Sequence, residues 1–217
     1  MTLDTIALEV LWSRLLSVAN EQQVTLMRTA FSTVVRETQD LACGIFDTRG
    51  AMIAQSLTGT PGHINAMATG VRHFLGAFPA QTLAPGDVLL TNDPWLTAGQ
   101  VNDMTVLTPV FQGPRVVAYF ASTCHAPDIG GRILSAEARE VYEEGLRIPM
   151  TRLFAAGEPN HELLRIIRAM REGLEGIQSG RLEIPPGVVS FAELTAILGI
   201  ERWAAVDDAF GESRRYT

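Results

Sequence analysis

Residues 92–131 read N-D-P-W-L-T-A-G-Q-V-N-D-M-T-V-L-T-P-V-F-Q-G-P-R-V-V-A-Y-F-A-S-T-C-H-A-P-D-I-G-G, and the fold turns on them. Two apolar, β-rich runs, Met104 to Phe111 and Arg115 to Thr123, flank Gln112-Gly113-Pro114, which is a hairpin signal. Polar side chains crowd the open end: Asn92, Asp93, Gln100, Asn102 and Asp103 on one side, His125 and Asp128 on the other. Pairing centred on Gly113 and Pro114 puts Asp103 beside Cys124 and Asn102 opposite His125, to within one residue of slip. A carboxylate and an imidazole thus meet at the base of the hairpin.

Outward from this stretch, hairpin and helix signals alternate. Asp4 is a helix cap, and Leu8, Leu11, Leu15 and Val18 recur at helical spacing, so an amphipathic helix is predicted to about Phe31. Leu41 to Asp47 and Ala51 to Gln55 are short strands joined by Thr48-Arg49-Gly50, a second hairpin. Leu57 to His63 has the Gly and Pro content of a loop. A helix is predicted from Asn65 to Phe78, which leaves His63 near its N-terminus, where anions and hydrogen-bond acceptors are favoured.

Leu83 to Thr91 is a turn feeding a strand that delivers Asn92 and Asp93. Ser135 to Glu144 is predicted to be an acidic helix, and Glu162 to Met170 another, capped by Asn160. Gly173, Gly176, Gly180 and Pro185-Pro186-Gly187 then break the periodicity. The predicted organisation is an α+β domain over 1–171, a linker over 172–190 and a short helical appendage over 191–217. The domain is a mostly antiparallel sheet built from hairpins, covered by the long N-terminal helix and the helix after His63.

Composition narrows the function. A net charge of −7 leaves no basic stripe to neutralise phosphates, so nucleic acid is not an expected partner. Apolar content of 47% with 19% charged residues is that of a globular protein. The two cysteines, Cys43 and Cys124, form neither a C-x-x-C pair nor a disulfide framework, which suits a reducing compartment. Asp4 and Glu9 interrupt the N-terminal apolar segment, and no apolar run approaches the roughly 18 residues of a membrane helix. A cytoplasmic protein with no membrane contact is expected. There is no G-x-x-x-x-G-K and no G-x-G-x-x-G, so neither a P-loop nor a Rossmann turn is expected.

Gln100, Asp103, His125 and Asp128 offer amide, carboxylate and imidazole ligands, a set that suits a divalent cation such as manganese or zinc. Spacing alone favours a hydrogen-bonded polar cluster closing the hairpin, with His125 bonded to a backbone carbonyl, because ligand spacing in such sites is not diagnostic. His63 is either a helix-cap histidine or a catalytic base. Cys124 reads as a small buried residue on an apolar strand. Arg36, Glu37 and Asp40 read as a salt-bridged connector. Glu144, entering a loop with Arg147, is the acid or base candidate of an otherwise solvated acidic run.

Six segments, in this order, carry a resemblance: A-L-E-V-L-W-S-R-L-L-S-V-A-N-E, T-L-M-R-T-A-F-S, F-D-T-R-G-A-M-I-A-Q-S, L-A-P-G-D-V-L-L-T-N-D-P-W, H-A-P-D-I-G-G and Y-E-E-G-L-R-I-P. Together, over about Leu3 to Met170, they resemble the hydantoinase B/oxoprolinase family. The resemblance implies one subunit of a two-component enzyme. Its companion, a hydantoinase A-type subunit with an actin-like ATPase fold, uses ATP to phosphorylate a substrate oxygen. Relatives open hydantoins, 5-oxoproline or lactams, and others carboxylate ketones. The resemblance also implies metal ligands at Gln100, Asp103 and His125, and it matches His63, Asp128, Glu37 and Asp40 to family positions. His63, Asp128 and, from its own loop position, Glu144 are the catalytic candidates.

Two departures stand out. Gln100 replaces the histidine of the family's G-H-x-x-D pattern, and Ala126 replaces a second histidine. Family chains also continue well past E-G-L-R-I-P, so a short or truncated member is expected. The expected function is a subunit of an ATP-dependent cyclic amide hydrolase. The alternatives are a non-catalytic scaffold paralogue and a subunit of an ATP-dependent ketone carboxylase.

Overall fold

The computed structural model describes residues 4–30, 32–127, 129–131 and 138–169; the predicted linker and appendage, with Asp128, lie outside them. Helices α1 (Thr5–Thr29) and α2 (Thr33–Thr38) come first, then strands β1 (Leu41–Phe46) and β2 (Met52–Gln55). Helix α3 (Pro61–Ala77) leads to β3 (Val88–Thr91), β4 (Asp103–Gln112) and β5 (Arg115–His125). One turn of helix, α4 (Val141–Glu144), and strands β6 (Thr151–Ala155) and β7 (Glu158–Pro159) follow, and residues 161–169 are helical. Among the described residues the strands form one sheet in the order β2-β1-β5-β4-β3-β6-β7. Every neighbouring pair is antiparallel, so the α+β reading holds.

The sheet is a central layer with helices on both faces. All six residues of β1 are buried, because alternate side chains go to opposite cores. Leu41 and Cys43 join Leu26 of α1, Val35 of α2 and Met104, Val106 and Cys124 on one face. Ala42 and Phe46 join Met67, Val71 and Phe74 of α3, with Leu107 and Tyr119, on the other. Burying a side chain of this size contributes roughly 1.5–3 kcal/mol, so the two apolar layers carry most of the stability.

Asp4 caps α1 as the sequence indicates, its Oδ1 accepting the Ala7 N–H at 2.7 Å. The stripe of α1 that faces the sheet recurs every three or four residues, but only its second half is covered. Ala19, Gln23 and Leu26 are buried, whereas Leu8 and Trp12 stay 52% and 56% exposed. The helix overhangs the sheet.

α3 begins four residues before the expected Asn65. Pro61 is compatible with a first helical position, so a segment with loop composition is helical. His63 therefore sits inside the first turn, buried.

The central hairpin turns at Gly113 and Pro114, with Gln112 paired to Arg115 and Phe111 to Val116. A register shift then inserts Val117, so that Val110 pairs with Ala118 and Asp103 with His125. The uninterrupted count predicts Cys124 opposite Asp103. The extra residue of the bulge swaps that cysteine for the histidine and sends Cys124 into the α1-side core.

Three loop motifs pack beyond the hairpin's open end. The Asn92 amide donates to Val101 O at 2.6 Å and Leu146 O at 2.7 Å, and its Oδ1 accepts the Ile148 N–H at 2.6 Å. A Cβ on Gly131 or Gly145 would run into the backbone of Glu144 or Gly130, so D-I-G-G and E-G-L-R-I-P need glycine where they cross. β6 and β7 were not anticipated from the sequence. The acidic helix predicted from Ser135 is represented by α4 alone, residues 132–137 lying outside the described set.

Candidate functional site

Four segments far apart in sequence deliver one polar cluster, buried at His63, Asp103 and His125 and partly open at Asp40. α2 ends at Gln39, whose backbone is left-handed with φ 55°, and the next residue is Asp40. Asp40 O accepts the His125 N–H at 3.1 Å, which extends the β1–β5 ladder by one rung and lays Asp40 beside His125. The bulge sets His125 opposite Asp103. α3, lying across the same face, brings in His63 from its first turn.

Asp103 is the centre. Its Oδ2 lies 2.9 Å from His63 Nε2 and accepts a hydrogen bond from Gln100 Nε2, also at 2.9 Å. Its Oδ1 is 3.1 Å from His125 Nδ1. Asp40 flanks both rings, its Oδ1 3.7 Å from His63 Nε2 and its Oδ2 3.8 Å from His125 Nδ1. Thr60, the residue before α3, donates its hydroxyl to Asp40 Oδ1 at 2.7 Å instead of capping the helix. Gln100 Nε2 also lies 3.4 Å from His125 Nδ1.

Electrostatics follow from this packing. Burial alone would raise the Asp103 carboxyl. Hydrogen bonds from His125 and His63, the His63 charge and the Gln100 hydrogen bond outweigh it and hold the group down to about 2. Burial pulls His63 the other way, toward the neutral ring. The hydrogen bond to Asp103 and the charges of Asp103 and Asp40 win, leaving its affinity for a proton above that of an ordinary histidine.

The donor set fits a divalent cation. One ligand atom each from Asp40, Asp103 and His125 lies within 4.8 Å of the other two, and two carboxylates with one imidazole suit a hard to borderline ion. A second observation supports a ligand here: His63 Nδ1 is buried and has no hydrogen-bond partner.

The structure thus brings together Gln100, Asp103, His125 and His63 of the sequence-derived candidates and adds Asp40. Asp40 reads from sequence as part of a connector because the strand it meets lies some eighty residues further on. Only the β1–β5 pairing reveals it. Asp128 lies outside the described residues. Glu144 stands apart, closing α4 with its backbone against Gly131. Cys124 is buried on the opposite face of the sheet.

Asp93 forms a smaller polar arrangement in the N-D-P-W loop. Its Oδ2 pairs with Arg147 Nη1 at 3.4 Å, and the Arg147 guanidinium lies 5.9 Å from the centre of the Trp95 ring. The N-D-P-W and E-G-L-R-I-P motifs are therefore in contact.

Comparison with known proteins gives this geometry a context. The caprolactamase beta subunit of Pseudomonas jessenii is 29% identical over 205 residues, 93% of this chain and 35% of that subunit. The 5-oxoprolinase of Saccharomyces cerevisiae is 33% identical over 152 residues, 68% of this chain and 12% of the enzyme. The crystal structure of the ATP-dependent caprolactamase superposes with a TM-score of 0.71 at 27% identity, over 99% of this chain and 37% of that one. Nucleotide-free acetone carboxylase shares the fold, with a TM-score of 0.69 at 18% identity over 96% of this chain and 26% of that one. The chain thus spans little more than a third of the caprolactamase chain it matches and far less of the oxoprolinase. The profile of hydantoinase B/oxoprolinase matches residues 4–179, and with the antiparallel sheet and its six ordered motifs the chain is a member of that family.

Proposed function

We propose that this chain is the hydantoinase B-type part of a two-component, ATP-dependent enzyme that opens a cyclic amide. The carrying observation is the cluster of buried His63, Asp103 and His125 with partly exposed Asp40 at the base of the bulged hairpin. Hydrolysis is favoured over ketone carboxylation because the sequence identity lies with a caprolactamase and a 5-oxoprolinase, whereas the carboxylase shares fold alone.

In this reading a hydantoinase A-type subunit with an actin-like ATPase fold consumes the ATP by phosphorylating the amide oxygen. This chain adds water to the activated carbon, the C–N bond breaks to open the ring, and a second water then releases phosphate from the acyl phosphate that remains. His63 is the general base. Asp103 fixes its ring through Nε2, which leaves Nδ1 to take the proton from water, and both carboxylates stabilise the imidazolium that forms. A manganese or zinc ion held by Asp40, Asp103 and His125, with Gln100 as a fourth ligand, would polarise the water or the carbonyl as a Lewis acid. The imidazolium of His63 returns its proton to the leaving nitrogen, with Asp128 and Glu144 kept as acid candidates on the sequence alone. No helix among the described residues is long and apolar enough to cross a membrane, which is compatible with a cytoplasmic, ATP-fed complex.

The test is reconstitution of the full chain with the A-type subunit from the same source. ATP-dependent consumption of 5-oxoproline, caprolactam and hydantoin would be measured, with metal content determined in parallel. Turnover of at least one cyclic amide is expected, falling roughly a hundredfold or more in both Asp103→Ala and His125→Ala. Undiminished turnover in either variant would remove the cluster from the chemistry. A stable complex without turnover of any amide would favour a scaffold role.

A further inference from the structure

Gln100 occupies a position that its residue type does not explain. Asp103 Oδ2, 2.9 Å from the amide, belongs to an ionised carboxylate and can only accept. The Gln100 atom facing it must therefore be the NH2 group, since the two ends of an amide are told apart by the partners they meet. The same NH2 lies 3.4 Å from His125 Nδ1. It thus stands beside two of the three side chains that could hold a cation, with its partial positive charge directed at the Asp103 carboxylate.

His125 Nδ1 and Asp103 Oδ1, 3.1 Å apart, satisfy each other when the ring nitrogen carries the proton. His63 Nε2 donates to Oδ2. The cluster is closed upon itself: both Asp103 oxygens meet N–H groups, and His125 Nδ1 spends its proton on one of them. A sequence reading that makes Gln100 an oxygen ligand places the amide the other way round.

We propose that Gln100 is a latch on the cation site. Its NH2 group holds Asp103 beside His125 in the cation-free protein, and a divalent cation enters only when the amide turns to present its oxygen. Residue 100 therefore sets how tightly the site binds. The inference rests on the proposed role of the cluster as the working site. It concerns binding, which can be read without turnover.

Gln100→Glu is the informative change, since it keeps the shape of the side chain while replacing the NH2 group with an oxygen. The new carboxylate cannot donate to Asp103 and repels it, yet supplies a hard ligand. Manganese and zinc would be titrated calorimetrically into the whole chain and the variant, and thermal unfolding followed with and without each ion. The variant is expected to unfold at lower temperature without cation and to bind roughly tenfold tighter or more. Should the variant fail to fold, the wild-type chain carries the test alone. Its Gln100 side-chain N–H pair should be slow to exchange in 15N NMR spectra without cation, and should shift and exchange freely at saturating zinc. Affinity no greater in Gln100→Glu, an amide pair indifferent to saturating zinc, or no binding by either protein would each overturn the latch. ATP-dependent turnover of the reconstituted complex tests the proposed function independently of these binding measurements.

Discussion

At the scale of single residues, Asp103 does most with least. One carboxylate, 1% exposed, engages two histidines and an amide. Asp103→Ala leaves those groups buried without an acceptor and is expected to cost about 3 kcal/mol, read from the shift in the urea unfolding midpoint. Cys43 offers a prediction with a sign. Burial, and then the neighbouring Cys124, push its thiol well above the ordinary value, so it stays neutral in the fold. The unfolded chain loses that proton earlier, so the contribution is whole below the ordinary thiol value and is lost as the pH rises toward the folded one. Urea midpoints at about pH 7.5 and about pH 9.5 should fall with pH in the wild type and fall less in Cys43→Ala. Asp103 and His125 were legible as ligand-capable residues because they end the two runs of a hairpin. The role of His63 stayed open because a loop-like P-G-H reads the same whether or not the ring meets a carboxylate. Asp40 was not legible, since nothing local shows which strand will lie beside it.

At the scale of elements, the bulge in β5 decides which side chain faces Asp103. Without Val117 the count from the turn pairs Asp103 with Cys124 and moves His125 off the partner position. If the proposed cation site binds manganese or zinc, deleting Val117 should abolish the rise in unfolding temperature that either ion would then produce, while the distant turn at Gly113 and Pro114 is retained. A cation effect of wild-type size in the deletion variant would show that the register recovers elsewhere. Hairpins, the cap at Asp4 and the helix over β1 were readable because each is written in neighbouring residues. The bulge was not, because Val116 and Val117 are equally good strand residues and only long-range packing chooses between registers. β6 was missed for a related reason: five residues with only Leu153 and Phe154 buried make too short a pattern to count.

At the scale of the whole molecule, the strand order β2-β1-β5-β4-β3-β6-β7 interleaves early and late parts of the chain. β5 is inserted between β1 and β4, so the two faces of the sheet and the site between Asp40 and His125 are closed by a strand that arrives late in the sequence. That order could not be read from sequence patterns, which give hairpin neighbours but not the crossover. It has a consequence during synthesis. As the chain leaves the ribosome from its N-terminus, α1, α2, β1, β2 and α3 emerge with their central partner still unmade. Their apolar surfaces and the open edge of β1 wait on residues 115–125. A pause in translation before that point would hold the nascent protein in its most chaperone-dependent form, and release of the second arm of the hairpin would join β1 to β4 and complete the polar cluster in one event, leaving only β6 and β7 to be added at the far edge.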